Sequence, residues 1–200
     1  MEFIYLLKAF NRKERFALIN KIFGTNVETP HAAFINELKS TLNLSINNIT
    51  FWGVDYHIDW LAAALAYYNQ NKTPGDGHLF NQNDYFCFTQ EDIDFIVCFK
   101  ADNGRHNIIL VEAKYCTKWK ADQLDSKTAR IERIVENNKK YFDFHMILMS
   151  PFKPQQLQGA WEWMPLDHVN KLYRVARCVE TNGNLKIKLN NSTWAAVKDT

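Results

Sequence analysis

The fold of this chain is decided by two apolar stretches, Asp92-Ile93-Asp94-Phe95-Ile96-Val97-Cys98-Phe99 and Ile108-Ile109-Leu110-Val111-Glu112-Ala113-Lys114. Both stretches are rich in β-branched and aromatic residues, a composition typical of β-strands. The dipeptide Asn103-Gly104 lies between them and is a strong signal for a hairpin turn. The sequence therefore predicts a β-hairpin. Its second strand is continuously apolar, which indicates a central strand covered on both faces.

Charged residues stand at one end of this hairpin. Asp94 lies near the start of the first strand, and Glu112 and Lys114 lie at the end of the second. Glu112 and Lys114 share a face because side chains alternate along a strand. Two neighbouring carboxylates repel each other, and a divalent cation such as Mg²⁺ relieves that repulsion. Carboxylates, a metal ion and a lysine are together the groups that hydrolysis of a phosphodiester requires.

The register of the hairpin decides whether these residues meet. A strict two-residue turn at Asn103-Gly104 would place Asp94 opposite Ala113. The carboxylate would then face away from both Glu112 and Lys114. The site instead needs Asp94 to lie opposite one of these two residues. We therefore predict a hairpin loop of odd length, or a β-bulge, between the two strands.

The pattern of apolar residues changes from helical spacing in the first part of the chain to short apolar runs in the middle. The predicted helices cover residues 3–10, 16–23, 29–42, 60–68 and 120–138. The inner face of the last helix is predicted at Leu124, Thr128, Ile131 and Val135. Further strands are predicted at 85–88 and 144–149, and a terminal hairpin at 172–179 and 185–189.

These elements predict a single α/β domain over residues 1–200. We divide it into a helical N-terminal part at about 1–78, a core sheet at about 84–150 and a C-terminal extension at about 151–200. Within the N-terminal part, Asp55-Tyr56-His57-Ile58-Asp59 places two acids and a histidine just before a helix. Capping of that helix by Asp55 or Asp59 is favoured over a separate metal site.

The composition limits the classes of protein to consider. The formal net charge of +2 is too small to indicate nucleic-acid binding from bulk charge. None of the four cysteines has CxxC spacing, which favours reduced core cysteines in a cytosolic protein. No apolar stretch is long enough to cross a bilayer, and the N-terminus does not resemble a secretory signal. The expectation is a soluble, cytoplasmic protein without a membrane partner.

The combination of Asp94, a hairpin and Glu112-Ala113-Lys114 resembles the PD-(D/E)XK nuclease superfamily, also called restriction-endonuclease-like. The order of a strand at 85, the hairpin, a helix from 120 and a strand at 144 is similar as well. The resemblance covers roughly residues 84–150, and Ile93 stands where the family often has proline. It implies a mixed central β-sheet flanked by helices. It also implies Mg²⁺, with Mn²⁺ as a substitute, bound by Asp94, Glu112 and the Ala113 carbonyl.

The resemblance also implies roles for other side chains. Lys114 would act as the catalytic base or as an electrostatic helper. Some relatives carry a glutamine on the helix after this strand, and Gln123 matches that position. Many relatives use a glutamate from the first helix, for which Glu37 is the candidate and Asp59 the competitor.

The predicted helix at 120–138 and the residues just before it carry several basic residues: Lys118, Lys120, Lys127, Arg130 and Arg133. Acidic residues interleave with them, which favours a solvated surface for most of the set. Lys118 and Lys120 are the best candidates for contacts with nucleic-acid phosphates.

The resulting hypothesis is a metal-dependent nuclease, a hydrolase that acts on nucleic acid with DNA as the expected substrate. The alternative is a catalytically inactive nuclease-like fold that serves as a nucleic-acid-binding or protein-interaction module. The near-neutral charge motivates this alternative. Many nucleases of this superfamily act as dimers, so a homodimer is one expected assembly.

Overall fold

The computed structural model describes residues 2–11, 30–71, 91–113, 121–150, 174–177, 185–190 and 193–198. In chain order the elements are α1 Phe3–Phe10, α2 Ala32–Leu42, β1 Ile49–His57, α3 Ile58–Asn69, β2 Asp92–Lys100, β3 His106–Ala113, α4 Ala121–Asn138, β4 Phe142–Ser150, β5 Arg174–Arg177, β6 Leu185–Asn190 and β7 Thr193–Lys198. The predicted helix at 16–23 and the predicted strand at 85–88 lie outside the described residues.

Strands β1 to β5 form one open sheet in the order of the sequence. β2 pairs antiparallel with both β1 and β3, whereas β4 pairs parallel with β3 and β5. The connection from β3 to β4 runs through α4, as parallel neighbours require a crossover. The sheet is therefore mixed and the protein belongs to the α/β class.

Two apolar cores cover the two faces of this sheet. On one face, which we call the three-helix face, α1, α3 and α4 pack against residues such as Ile96, Ile108 and Leu110. On the other face, which we call the α2 face, α2 packs against residues such as Val97 and Ile109. The side chains of β3 alternate between the two cores, and the strand is buried on both sides as predicted.

Helix α4 matches its prediction closely. It spans Ala121–Asn138, and its inner face is buried at the four predicted positions Leu124, Thr128, Ile131 and Val135. Three of these residues belong to the core of the three-helix face. The spacing of four, three and four residues thus identified the buried stripe of the helix correctly.

The N-terminal part, predicted as helical at about 1–78, also contains a strand, β1, that the sequence pattern did not predict. Residues 49–57 form a strand that pairs with β2, and the Thr50 hydroxyl donates a hydrogen bond to the Cys98 carbonyl at 3.0 Å. The run contains isoleucine, threonine, phenylalanine, tryptophan and valine, which suit a pleated surface. Gly53 and Asp55 interrupt its alternation, and Asp55 has a positive φ of 49°. These interruptions weakened the strand pattern in the sequence.

Histidine side chains cap both α2 and α3. His31 precedes α2, and its Nδ1 accepts a hydrogen bond from the Ala33 N–H at 3.3 Å. His57 precedes α3 and accepts in the same way from the Asp59 N–H at 3.2 Å. The prediction that Asp55 or Asp59 caps α3 is therefore wrong. A neutral imidazole nitrogen is an acceptor that can replace the usual carboxylate or hydroxyl oxygen.

The predicted terminal hairpin is wrong in its pairing. β5 joins the main sheet beside β4, and β6 pairs with β7 in a separate two-stranded sheet. Asn190 pairs with Thr193, so a very short connection joins β6 and β7. A short connection costs less closure entropy than the longer one between β5 and β6.

No helix in the described part of the chain combines the length and apolar character needed to cross a bilayer.

Arg105 connects the loop between β2 and β3 to the turn between α4 and β4. Its guanidinium donates to both carboxylate oxygens of Asp143, at 2.7 and 2.8 Å. It also donates to the main-chain carbonyls of Lys139, Lys140 and Phe142. One planar side chain thus satisfies carbonyl groups that follow the end of α4.

We expect Arg105→Ala to lower the free energy of unfolding by about 1–3 kcal/mol, because several charge-assisted hydrogen bonds are lost together. Urea denaturation followed by circular dichroism measures the loss. Lys139→Ala is the matched control, since Lys139 pairs with Glu136 on an exposed surface and should change stability by less than about 1 kcal/mol. Equal losses in the two variants would contradict the role of Arg105.

His106, the first residue of β3, lies among aromatic rings. Its ring stacks on Phe142 with 5.7 Å between centroids, and it contacts Phe3 and Tyr68. Burial, followed by the nearby charge of Lys100, lowers the pKa of this histidine below its ordinary value. The folded protein therefore favours the neutral imidazole.

As the pH decreases below the ordinary histidine pKa of about 6.5, His106 becomes protonated in the unfolded chain at a higher pH than in the folded protein. We therefore expect stability to fall as the pH decreases from that value towards the lower pKa of folded His106. In His106→Gln this part of the pH dependence should disappear. Denaturation curves at several pH values for both proteins test this, and an unchanged pH dependence in the variant would refute it.

Candidate functional site

The register of the β2–β3 hairpin places Asp94 and Glu112 directly beyond its last paired residues. Phe95 pairs with Val111 at one end of the hairpin, and Lys100 pairs with His106 at the other. The loop 101–105 between them has an odd number of residues, so this prediction is confirmed. Continued by one position, the same register places Asp94 opposite Glu112.

The carboxylate of Asp94 is fixed by the neighbouring strand. Its Oδ2 accepts a hydrogen bond from the Ala113 N–H at 2.7 Å, and the side chain is partly buried. The peptide group that joins Glu112 to Ala113 therefore lies directly beside Asp94. This contact orients one carboxylate oxygen at the point where β3 ends.

Glu112 is a buried carboxylate on the three-helix face. It follows Ile108 and Leu110 on that face, and only 5% of the residue is exposed. Its Oε2 lies 2.6 Å from the Nζ of Lys127, which also donates to the Asp92 carbonyl at 2.7 Å. A buried charge is costly unless it is paired, and here an ammonium group from α4 supplies the pairing.

A second ion-pair cluster lies on the same flank of α4. Arg130 is 5% exposed and donates to Glu91 Oε2 at 2.6 Å and to Asp59 Oδ1. The Ser126 hydroxyl donates to the other oxygen of Glu91 at 3.0 Å. These contacts join the start of α3, the residue before β2 and the middle of α4. They fix the helix that carries Lys127 relative to the hairpin.

The prediction that the basic residues of α4 lie on a solvated surface holds for Arg133, which is exposed. It is thus wrong for Lys127 and Arg130. Both residues directly precede buried positions, Thr128 and Ile131. A basic residue beside the apolar stripe of a helix, facing strand ends that carry acids, was the signal in the sequence. Lys118 and Lys120 lie outside the described residues.

The auxiliary candidates lie in different places. Gln123 is exposed and lies one helical turn before Lys127 on α4, so the two share a side of the helix. Asp59 lies at the start of α3, on the three-helix face with Glu112. Glu37 belongs to α2, which covers the opposite face of the sheet. The structure therefore brings Asp59, and not Glu37, to the side of the sheet that carries Glu112.

The donor set is compatible with Mg²⁺. Among the residues that the structure describes, no three His, Cys, Asp or Glu side chains form a group that could hold a metal. Proteins usually bind Mg²⁺ through only one or two carboxylates and leave the remaining positions to water or substrate. Asp94 and Glu112 meet that lower requirement. Lys114 lies outside the described residues, so its role stays a prediction.

Comparisons of the chain with protein-family models, curated proteins and solved structures give no match. A fold alone does not define a function, because one architecture serves many kinds of chemistry. The basis for a functional assignment is therefore the chemistry of Asp94, Glu112 and Lys127.

We expect Arg130→Met to lower the free energy of unfolding by about 3–5 kcal/mol, because Asp59 and Glu91 would lose their shared partner in a poorly solvated region. Arg133→Met is the matched control on the same helix, and it should stay within about 0.5 kcal/mol of the wild type. Thermal and urea denaturation of the three proteins measure the difference. A small effect of Arg130→Met would show that the cluster contributes little to stability.

Proposed function

We propose that this protein is a metal-dependent nuclease that hydrolyses phosphodiester bonds of nucleic acid, with DNA as the substrate. The observation that carries the proposal is the hairpin register, together with the 2.7 Å contact between Asp94 Oδ2 and the Ala113 N–H. The register makes Asp94 and Glu112 the next residues beyond the last pair of the two strands, and the contact holds Asp94 against the peptide group that follows Glu112. An acid on one strand and an acid and a lysine on the next are what the PD-(D/E)XK motif requires.

The arrangement around the hairpin supports a restriction-endonuclease-like fold. Strands β2 and β3 form an antiparallel pair, α4 crosses over, and β4 returns parallel to β3. The resemblance implied this order for the hairpin, the helix and the last strand, whereas the strand predicted at 85–88 lies outside the described residues. The crossover also lays α4 on the three-helix face, where Lys127 reaches Glu112.

In this proposal Asp94, Glu112 and the Ala113 carbonyl would hold Mg²⁺. The chemistry that it would supply there is Lewis-acid stabilisation of charge on the phosphate. The Ala113 N–H keeps the Asp94 carboxylate in one orientation. Lys114 lies outside the described residues, and its role rests on the sequence prediction that it shares a face with Glu112. From there it accepts a proton from the attacking water or stabilises the negative charge of the transition state.

One observation favours the alternative, a catalytically inactive nuclease-like fold that binds nucleic acid or another protein. Lys127 Nζ lies 2.6 Å from Glu112 Oε2, so the carboxylate is neutralised without a metal ion. A module that only binds has no need of a Mg²⁺ site. Metal affinity therefore separates the two functions.

The test is Mg²⁺- or Mn²⁺-dependent cleavage of plasmid, linear and single-stranded DNA. We expect Asp94→Asn and Lys114→Ala to lower the cleavage rate by roughly 10²–10⁴-fold while the circular dichroism spectrum stays unchanged. Asp102→Asn is the control for the same loss of charge, since Asp102 lies exposed in the hairpin loop. It should cleave at the wild-type rate.

Each outcome points to a different conclusion. Full activity of Lys114→Ala would remove Lys114 from the mechanism. Absence of cleavage together with absence of metal binding by calorimetry would favour the binding module. Metal binding without cleavage would show that the carboxylates form a cation site and that the tested DNA is not the substrate.

A further inference from the structure

We propose that Lys127 is an internal counterion of the candidate site. In this proposal its ammonium group takes the place of a divalent cation beside Glu112 and has to leave before the metal binds. The inference rests on the proposed function, because it assumes that Glu112 is a metal ligand. The inference adds that Lys127, which is not one of the three proposed catalytic residues Asp94, Glu112 and Lys114, sets the affinity of the site for the metal.

The contacts of Lys127 support this role. The ammonium lies 2.6 Å from Glu112 Oε2 and 2.7 Å from the Asp92 carbonyl. The side chains of Lys127 and Glu112 are only 12% and 6% exposed. Water therefore screens this pair poorly, and the charge of Glu112 is compensated within the protein.

A divalent cation on Glu112 would compete with this ammonium group. Both are positive, both need the same carboxylate, and like charges a few ångströms apart repel strongly where water is scarce. Asp94 is held by the Ala113 N–H, so it offers its carboxylate whether or not Lys127 is present. The competition is therefore confined to Glu112.

Lys127 is better suited to move away from its carboxylate than Arg130, the neighbouring cation on α4. Arg130 is held by the two carboxylates of Asp59 and Glu91 through separate nitrogen atoms. Lys127 has a compact charge on a flexible stem, and its ion pair is with one carboxylate, that of Glu112. Gln123, one turn earlier on the same side of α4, is exposed, so solvent lies in that direction. Arg130 keeps α4 in place while Lys127 moves.

The first experiment is calorimetric titration of Mn²⁺ and Mg²⁺ into the full chain and into Lys127→Gln. Glutamine keeps a hydrogen-bond donor near Glu112 but removes the charge. We expect the variant to bind metal about tenfold tighter or more, since the competing charge is gone. Lys139→Gln, an exposed change of the same kind on the segment that follows α4, should bind metal as the wild type does. Equal or weaker binding by Lys127→Gln would overturn the proposal.

A second measurement uses the wild-type protein and does not depend on the folding of a variant. Acetic anhydride modifies exposed lysine amines, and mass spectrometry locates the modified residues. We expect acetylation of Lys127 to increase several-fold when Mn²⁺ is added, while that of Lys139 stays constant. An unchanged or lower reactivity of Lys127 with Mn²⁺ would overturn the proposal.

These outcomes separate the inference from the proposed function. If the wild type cleaves DNA with Mg²⁺ but Lys127→Gln binds metal no more tightly, the inference fails and the nuclease assignment stands. If neither protein binds metal and the wild type does not cleave, both fail. If Lys127→Gln binds metal more tightly and the wild type does not cleave, the inference holds and the tested DNA is not the substrate.

Discussion

The loop 101–105 determines which side chains meet at the far end of β2 and β3. Side chains alternate along a strand, so a change of one residue in this loop would turn Asp94 away from Glu112. Gly104 has a φ of 82°, which glycine adopts without strain, and its N–H donates to the Ala101 carbonyl at 2.9 Å. Arg105 then ties the loop to the turn before β4. A feature remote from the acidic residues thus sets their geometry.

Buried charge is the second constraint on this end of the sheet. Glu112 and Asp59 are carboxylates with little exposure, and two cations on one flank of α4 compensate them. Lys127 and Arg130 are one turn apart, so a shift of the helix by one residue would break both sets of contacts at once. Such pairs contribute less to stability than apolar packing of equal size, yet they favour one arrangement of helix and sheet. The pairing therefore determines how α4 lies on the hairpin.

The sequence predicted the elements in which local pattern and tertiary packing agree. The hairpin, the odd loop, α4 and β4 all carry apolar periodicity that matches their burial. β1 was missed because Gly53 and the turn-like backbone of Asp55 break its alternation. The predicted partner of β6 was wrong. Pairing depends on which strands lie close in space, and the turn signal Asn182-Gly183 before β6 does not determine that. The pairing of Lys127 with Glu112 depends on the crossover of α4, which periodicity alone does not define.

The central position of β3 has a consequence for the dynamics of the site. This strand is paired on both sides and covered on both faces, so its amide hydrogens should exchange with solvent only when the whole molecule unfolds. Glu112 therefore belongs to the most persistent part of the fold. Lys127 reaches it on a long, flexible side chain from α4, a helix that Arg130 anchors to Asp59 and Glu91. The site thus combines a carboxylate on the most persistent strand with an ammonium group on a side chain of several rotatable bonds.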